Sequence, residues 1–198
     1  MLLEGKEQFS GAQNAFIRED MADPAARREN LQRELAELMP GIEITMFQVG
    51  DLSLNKKEVS YAFKAMVPNR AVRKGDELIF PLSLYPHQLL KSYAPISRRE
   101  QPVWISYPWQ TTNTMHYTLP DGFALGEIPD SIEIQSGDFM FSQDIAPTDD
   151  GFTVVETVQF PRRIISADGY QKFRSLLMRA DSRMEQRVHI VAKERGGS

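Results

Sequence analysis

Apolar and polar residues alternate most strictly at Val59, Tyr61, Phe63, Ala65 and Val67, with Glu58, Ser60 and Lys64 on the opposite side. A period of two over nine residues predicts a long half-buried strand. Shorter stretches repeat the pattern. Leu2 to Gln8 reads as a strand ending in a turn at Ser10-Gly11. Ile42, Ile44 and Met46 share one face. Turns at Pro68-Asn69 and Lys74-Gly75-Asp76 precede Leu78-Ile79-Phe80. Val103 to Tyr107 is a short strand between prolines 102 and 108. In 111–119, Met115, Tyr117 and Leu119 form the apolar face. Pro120-Asp121-Gly122 then has the chemistry of a hairpin turn. Ile128-Pro129, Ile132 and Ile134 resume the apolar pattern, followed by Phe139 with Phe141. The segment 147-PTDDG-151 predicts a hairpin connection. Phe152, Val154, Val158 and Phe160 share a face that Glu156 interrupts, and Val188, Ile190 and Ala192 form a last strand.

The helical period appears in fewer places. A short helix is expected over Ala12 to Asp20. Asp23 before Pro24 reads as an N-cap with proline in the first turn. Leu31, Leu35 and Leu38 then fall on one face, and Pro40-Gly41 stops the helix. The stretch 85-YPHQLLKSY-93 predicts one or two helical turns closed by Pro95. Ser166 is placed to cap a final helix carrying Tyr170, Phe173, Leu177, Ala180 and Met184 on one stripe. The expected fold is mainly β (α+β): an antiparallel β-sandwich with about three peripheral helices. Residues 1–40 supply an N-terminal strand and helices packing on the sandwich. Residues 41–193 form the sandwich itself, with a soft boundary near 83–97, and 194–198 are expected to be a frayed tail.

The 198 residues suffice for one large domain or two small ones. A chain of this size buries about 70% of its unfolded surface. With 41% hydrophobic and 25% charged residues, the composition is that of an ordinary globular protein. The net charge of −4 argues against nucleic acid as a partner, which requires a concentrated positive field. Arg27, Arg28 and Arg33 are offset by Glu29, Glu34 and Glu37, which makes them a solvated helix face. No run of eighteen apolar residues occurs, so no transmembrane segment is expected. The start, MLLEGKEQF, lacks the charged end and apolar core of a signal peptide. The chain has no cysteine, which removes disulfides, thiolate zinc sites and a cysteine nucleophile, and is compatible with cytosol or periplasm.

Candidate chemistry is thin. His87, His116 and His189 are too far apart for a short-spaced zinc pair. His116 and His189 lie on the polar faces of their strands. His87 follows Tyr85-Pro86 in an irregular segment and has no evident sequence partner. Neither a nucleophile elbow, a phosphate loop nor a dinucleotide fingerprint is present. A serine–histidine–aspartate triad is assembled in space and stays open. Asp149-Asp150, the densest carboxylates, belong to a turn. Neither catalytic residues, a metal site nor a cofactor is expected. Arg98-Arg99 and Arg162-Arg163 suit an anion or an acidic partner, or the ordinary protection of edges and loops. Trp104, Tyr107 and Trp109 suit a stacking platform for a sugar, or packing. Trp104 and Tyr107 have opposite parity, which points at least one of them inward.

Several segments carry a resemblance. The start 4-EGKEQFSGAQNAFIRED-20, the helix and strand entry 24-PAARRENLQRELAELMPGIEI-44, the turn 117-YTLPDGF-123 with Ile128-Pro129, and the ending 170-YQKFRSLLMRADSRMEQRVHIVAK-193 follow one another in a familiar order. Together they resemble the C-terminal β-rich region of bacterial multidomain transglutaminase-like proteins. Those proteins have an N-terminal domain of unknown function and a papain-like core. The resemblance covers nearly the whole chain, and its motifs are structural. The core's catalytic cysteine, histidine and aspartate have no matching positions here. The resemblance implies a non-catalytic accessory domain whose partner is its own transglutaminase-like core or another protein, in the cell envelope or periplasm. Two alternatives stand beside it. One is a stand-alone carbohydrate- or ligand-binding sandwich using Trp104, Tyr107 and Trp109, with Arg98 and Arg99 nearby. The other is a hydrolase using carboxylates or His87.

Overall fold

The computed structural model describes residues 1–68, 70–75, 77–85 and 87–193. The turn positions Asn69 and Asp76, Pro86 and the tail 194–198 lie outside the described residues. In chain order the elements are β1 (Leu2–Gly11), α1 (Gln13–Asp20), α2 (Arg27–Leu38), β2 (Glu43–Val49), β3 (Glu58–Met66), β4 (Val72–Lys74), β5 (Glu77–Pro81) and α3 (Leu89–Tyr93). There follow β6 (Val103–Ile105), β7 (Trp109–Thr118), β8 (Phe123–Leu125), β9 (Ile132–Ser136), β10 (Phe139–Pro147), β11 (Gly151–Phe160), β12 (Arg163–Ile165), α4 (Tyr170–Met184) and β13 (Arg187–Ala192).

The strand with the strictest alternation, β3, buries Val59, Tyr61, Phe63 and Ala65. It belongs to a seven-stranded antiparallel sheet in the order β2-β3-β1-β7-β11-β10-β9. The N-terminal strand β1 lies between β3 and β7 and continues through Ser10 to Gly11 (φ 65°), the positions expected to turn. One face of this sheet is covered and the other is a solvated lattice of Thr, Ser, Gln and charged side chains. That arrangement is the reason for the clean alternation. The cover consists of a four-stranded sheet (β4-β5-β13-β8), a two-stranded ribbon (β12-β6) and the helices, giving the mainly-β, layered architecture of a sandwich.

Two apolar clusters fill the space between the layers. In the first, Leu3, Phe63, Met115, Tyr117 and Phe152 meet Phe80 and Ile190 of the four-stranded sheet and Leu31 and Leu35 of α2. Phe80 stands edge-on to both Tyr117 and Phe152, a favoured aromatic geometry. In the second, Trp109, Phe141, Val158 and Phe160 meet α4 and the ribbon. All five stripe residues of α4 are buried. Burial of that stripe contributes on the order of 10 kcal/mol against chain entropy. The segment 83–97 passes from one cluster to the other, with Leu84 in the first and Leu89 and Ala94 in the second.

Several local expectations are corrected. Met46 is 44% exposed, because a β-bulge between Ile44 and Met46 shifts the register and turns Phe47 toward the core. Asp23 does not cap α2: its carboxylate accepts from the Ala25 amide in a turn, and the helix begins at Arg27. Ser166 likewise holds a turn, accepting from Gly169 N just ahead of α4. Ala192 is exposed at the end of β13. Pro120-Asp121-Gly122 does form a turn, with Phe123 N bonded to Pro120 O and Gly122 at φ 80°. It is not a hairpin, because β8 leaves the large sheet and pairs with β13. The PTDDG segment joins β10 to β11 as a hairpin, closed by the Thr148 N bond to Gly151 O.

Candidate functional site

The strand register places a polar side chain on the covered face of five successive strands at one level. Tyr61 of β3 is opposite Glu7 of β1, Glu7 opposite Asn113 of β7, Asn113 opposite Glu156 of β11, and Glu156 opposite Gln143 of β10. All five are buried. The row crosses a mostly apolar surface, and each member needs a partner there.

At the β11–β10 end the partners are protein. Ser83 Oγ donates to Glu156 Oε2. Gln143 Nε2 donates to the same oxygen at 2.9 Å and to Ser83 Oγ at 3.0 Å. Arg183 of α4 donates to Gln143 Oε1 at 2.7 Å, and Arg70 donates to Ser83 O at 2.6 Å. Burial pushes the Glu156 carboxyl up, while Ser83, Gln143 and Arg183 pull it down. Glu156 Oε1 and Asn113 Oδ1 are buried without a hydrogen bond among the described residues.

At the β1–β3 end the row opens into a cleft of about 440 Å³. Its floor is Glu7, Phe9, Tyr61 and Thr111 on the sheet. Ile17 of α1 with Glu34 and Leu38 of α2 forms one wall, and Tyr85, His87 and Gln88 form the other. Glu7 is 1% exposed and accepts a bond from Tyr85 OH at 2.9 Å. Its carboxyl is raised to about 8, chiefly by burial, with Glu34 adding to the rise and the Tyr85 and Tyr61 hydroxyls opposing it. Glu34, at the exposed rim of the cleft, is itself pushed up by partial desolvation and by Asp20 and Glu37. Tyr61 and Tyr85 are both driven well above the ordinary phenol range, by burial and then by Glu7. Perturbed groups gathered in a cleft mark a candidate site.

His87 stands where the cleft meets the interior. Its Nε2 is 4.0 Å from Glu156 Oε1 and makes no hydrogen bond among the described residues. Burial lowers its imidazole to about 4, against an upward pull from Asp181. With the His87 imidazole neutral, the contact is not an ion pair. The next residue, Gln88, is left-handed (φ 50°), a conformation costly for a side chain with a Cβ. It is held by Asp181 of α4, whose two oxygens accept from the Leu89 and Leu90 amides at 2.8 Å and so cap α3.

The stacking and basic residues expected from the sequence lie elsewhere and do not form one platform. Trp109 is buried, stacked on Phe160 at 4.9 Å with its indole N–H donated to Tyr93 OH at 2.9 Å. Trp104 and Tyr107 are both exposed, at 70% and 72%. The parity expectation fails because β6 ends at Ile105, so Tyr107 is outside any strand. Trp104 is opposite Ile164 on the ribbon's outer face, and Ile164 is 55% exposed. Arg98 is exposed, and Arg99 lies over the Tyr170 ring at 6.0 Å. His116 bonds Thr153 and pairs with Asp150 at 3.2 Å, and His189 pairs with Glu77 at 2.8 Å.

Glu7, Glu34, Tyr61 and Tyr85 were not singled out by sequence reasoning. A signal for two of the row was present. Glu7 shares inward parity with Leu3 and Phe9, as Glu156 does with Val154 and Val158. Among the described residues no group of three or more His, Cys, Asp or Glu is placed to hold a metal. No helix among them is long and apolar enough to cross a membrane.

No curated protein and no solved structure matches the chain. The family model of the domain of unknown function with solved structure (DUF3858) matches residues 76–190, from β5 to β13. Tyr85, His87 and Thr111 of the cleft fall inside the matched stretch, and Glu7, Glu34 and Tyr61 precede it. With more than half of its length matched, the chain belongs to the DUF3858 family.

Proposed function

We propose that the chain is a non-catalytic accessory module of a transglutaminase-like protein, which packs on or positions the catalytic core or binds another protein. The observation that carries this reading is the ribbon β6–β12. Its inner face, Val103 and Ile105, is anchored in the second core, while its outer face presents Trp104 and Ile164 side by side. An exposed apolar pair on an anchored element has the character of an interface anchor. The resemblance of the segment order over nearly the whole chain supports the transglutaminase-like parent.

The interior geometry supports the same reading over a hydrolase. A serine nucleophile needs a base in hydrogen-bond reach. Ser83 does donate to Glu156, but both side chains are buried, and His87 Nε2 has no hydrogen bond among the described residues. A sugar platform is reduced to Trp104 and Tyr107, since Trp109 is enclosed by Phe160 and Tyr93.

The test has two parts. The reading frame upstream of Met1 is sequenced and scored for a Cys-His-Asp core. That core is then produced separately, and its affinity for the chain is measured by calorimetry. The double variant Trp104→Ala, Ile164→Ala is expected to weaken binding about thirtyfold or more, the effect of losing a central aromatic anchor. Absence of the core from the frame, or equal affinity of the variant and the native chain, would overturn the reading.

A further inference from the structure

The cleft plays no part in the docking surface, and its chemistry is one-sided. Four rings line it: Phe9 and Tyr61 from the floor, with centroids 5.6 Å apart, and Tyr85 and His87 from the wall, 6.4 Å apart. Two carboxyl groups, Glu7 and Glu34, face into it from β1 and α2. Among the described residues no lysine or arginine lines it.

Glu7 is the deepest of these groups. It faces Tyr61 on β3, Asn113 on β7, Glu34 on α2, and Tyr85 and His87 from the covering segment. None of these supplies a positive charge, because burial keeps the His87 imidazole neutral. A buried carboxylate without a counter-ion is costly, so Glu7 favours its protonated form. A cation in the cleft would do the same service and gain more. It would meet a full negative charge in a sheltered place, with Glu34 adding to the field. Ring faces attract cations, best when several surround the charge. An anion would find no lysine or arginine among the described residues that line the cleft. The volume of about 440 Å³ lies in the range of small-molecule sites.

We propose that this cleft binds a small organic cation, an alkylammonium group, with its charge against Glu7 and its alkyl part against the rings of Phe9 and Tyr61 and the side chains of Ile17 and Leu38. The ammonium N–H takes the place of the carboxyl proton, which leaves to solvent, so binding is an exchange of one cation for another. The group can belong to a free amine or to a lysine side chain, which offer the same chemistry. The site does not rest on the docking reading: the ribbon variant described above leaves it intact, and failure of one proposal does not bear on the other.

The test is calorimetry of the full chain with n-butylammonium chloride, with Nα-acetyl-lysine N-methylamide, and with n-butanol as the neutral counterpart. Titrations are run at pH 6, 7 and 8 in two buffers of different ionisation enthalpy. Either cation is expected to bind at least thirtyfold more tightly than butanol, and the tighter of the two identifies the source. Affinity is expected to rise about tenfold from pH 6 to 7, and less from 7 to 8 as Glu7 becomes ionised. Close to one proton is expected to be released per cation bound at pH 7. Glu7→Gln, a neutral isostere that keeps the acceptor for Tyr85, is expected to lose at least tenfold at pH 8 with an unchanged circular dichroism spectrum. Should that variant fail to fold, the proton count on the native chain decides. Equal binding of butylammonium and butanol, no binding by either cation up to about 50 mM, or no proton release at pH 7 would each overturn the proposal.

Discussion

Glu7→Gln also makes a quantitative statement about folding. In the native chain the Glu7 carboxyl is raised from 4.5 to about 8 by burial. The folded state therefore holds a proton that the unfolded state has released across that interval. Stability from this group is fully present below about pH 4.5 and is lost as the pH rises toward about 8. One pKa unit corresponds to about 1.36 kcal/mol, so the whole interval is worth about 5 kcal/mol. A typical domain has a stability of 5–15 kcal/mol in all. The substituted glutamine would fill the same space, accept the Tyr85 hydrogen bond and carry no charge at any pH. The two proteins are thus expected to have similar stability at pH 5. Between pH 5 and 8 the variant is expected to gain on the native chain by roughly 3–4 kcal/mol. The other buried acid of the row, Glu156, contributes equally to both proteins and cancels in the difference. Urea unfolding at pH 5, 6, 7 and 8, followed by far-ultraviolet circular dichroism and tryptophan fluorescence, measures the gap. With a slope of about 2 kcal/mol per molar urea, the midpoints should separate by roughly 1.5–2 M over this range. A gap constant within about 0.5 kcal/mol would show that Glu7 is solvated or paired with a cation in the fold, and would refute the reasoning for the cleft as well.

Two further changes probe how the cleft is held. Gly5→Ala is expected to destabilise by about 1–3 kcal/mol in the same urea assay, because its new Cβ would fall against the Phe63 ring and 2.9 Å from Met115 Sδ in a filled core. Asp181→Ala should cost about 1 kcal/mol through loss of the α3 cap, with faster hydrogen exchange at the Leu89 and Leu90 amides and little change on β3.

Much of the fold was legible along the chain. The alternation at Val59–Val67, the stripe from Tyr170 to Met184 and the PTDDG turn each report a local property: which face of one element is dry, and where the chain reverses. Those are decided within a few residues, so they can be read from a few residues. The errors came where a local rule met a neighbour. The bulge at Ile44/Met46 turned a methionine outward, and the parity expected of Tyr107 belongs to a strand that ends two residues before it. The turn at Pro120-Gly122 was recognised, but its chemistry says only that the chain reverses, and β8 went to the partner sheet of β13.

The candidate site belongs to the tertiary structure almost entirely. Glu7 and Glu156 stand at inward parity, yet parity says which face a side chain takes and nothing about the level it reaches on the sheet. That level is set by registers between strands far apart in sequence. Those registers are selected by the packing of the apolar positions on either side of the row, since a shift of one residue would turn every core side chain outward. The same selection brought His87 and Tyr85 over Glu7 and separated Trp109 from Trp104. The sequence by itself determined the elements and their buried faces. Long-range packing decided which polar groups meet, and with that the two acids that share a cleft with no lysine or arginine among its described lining residues.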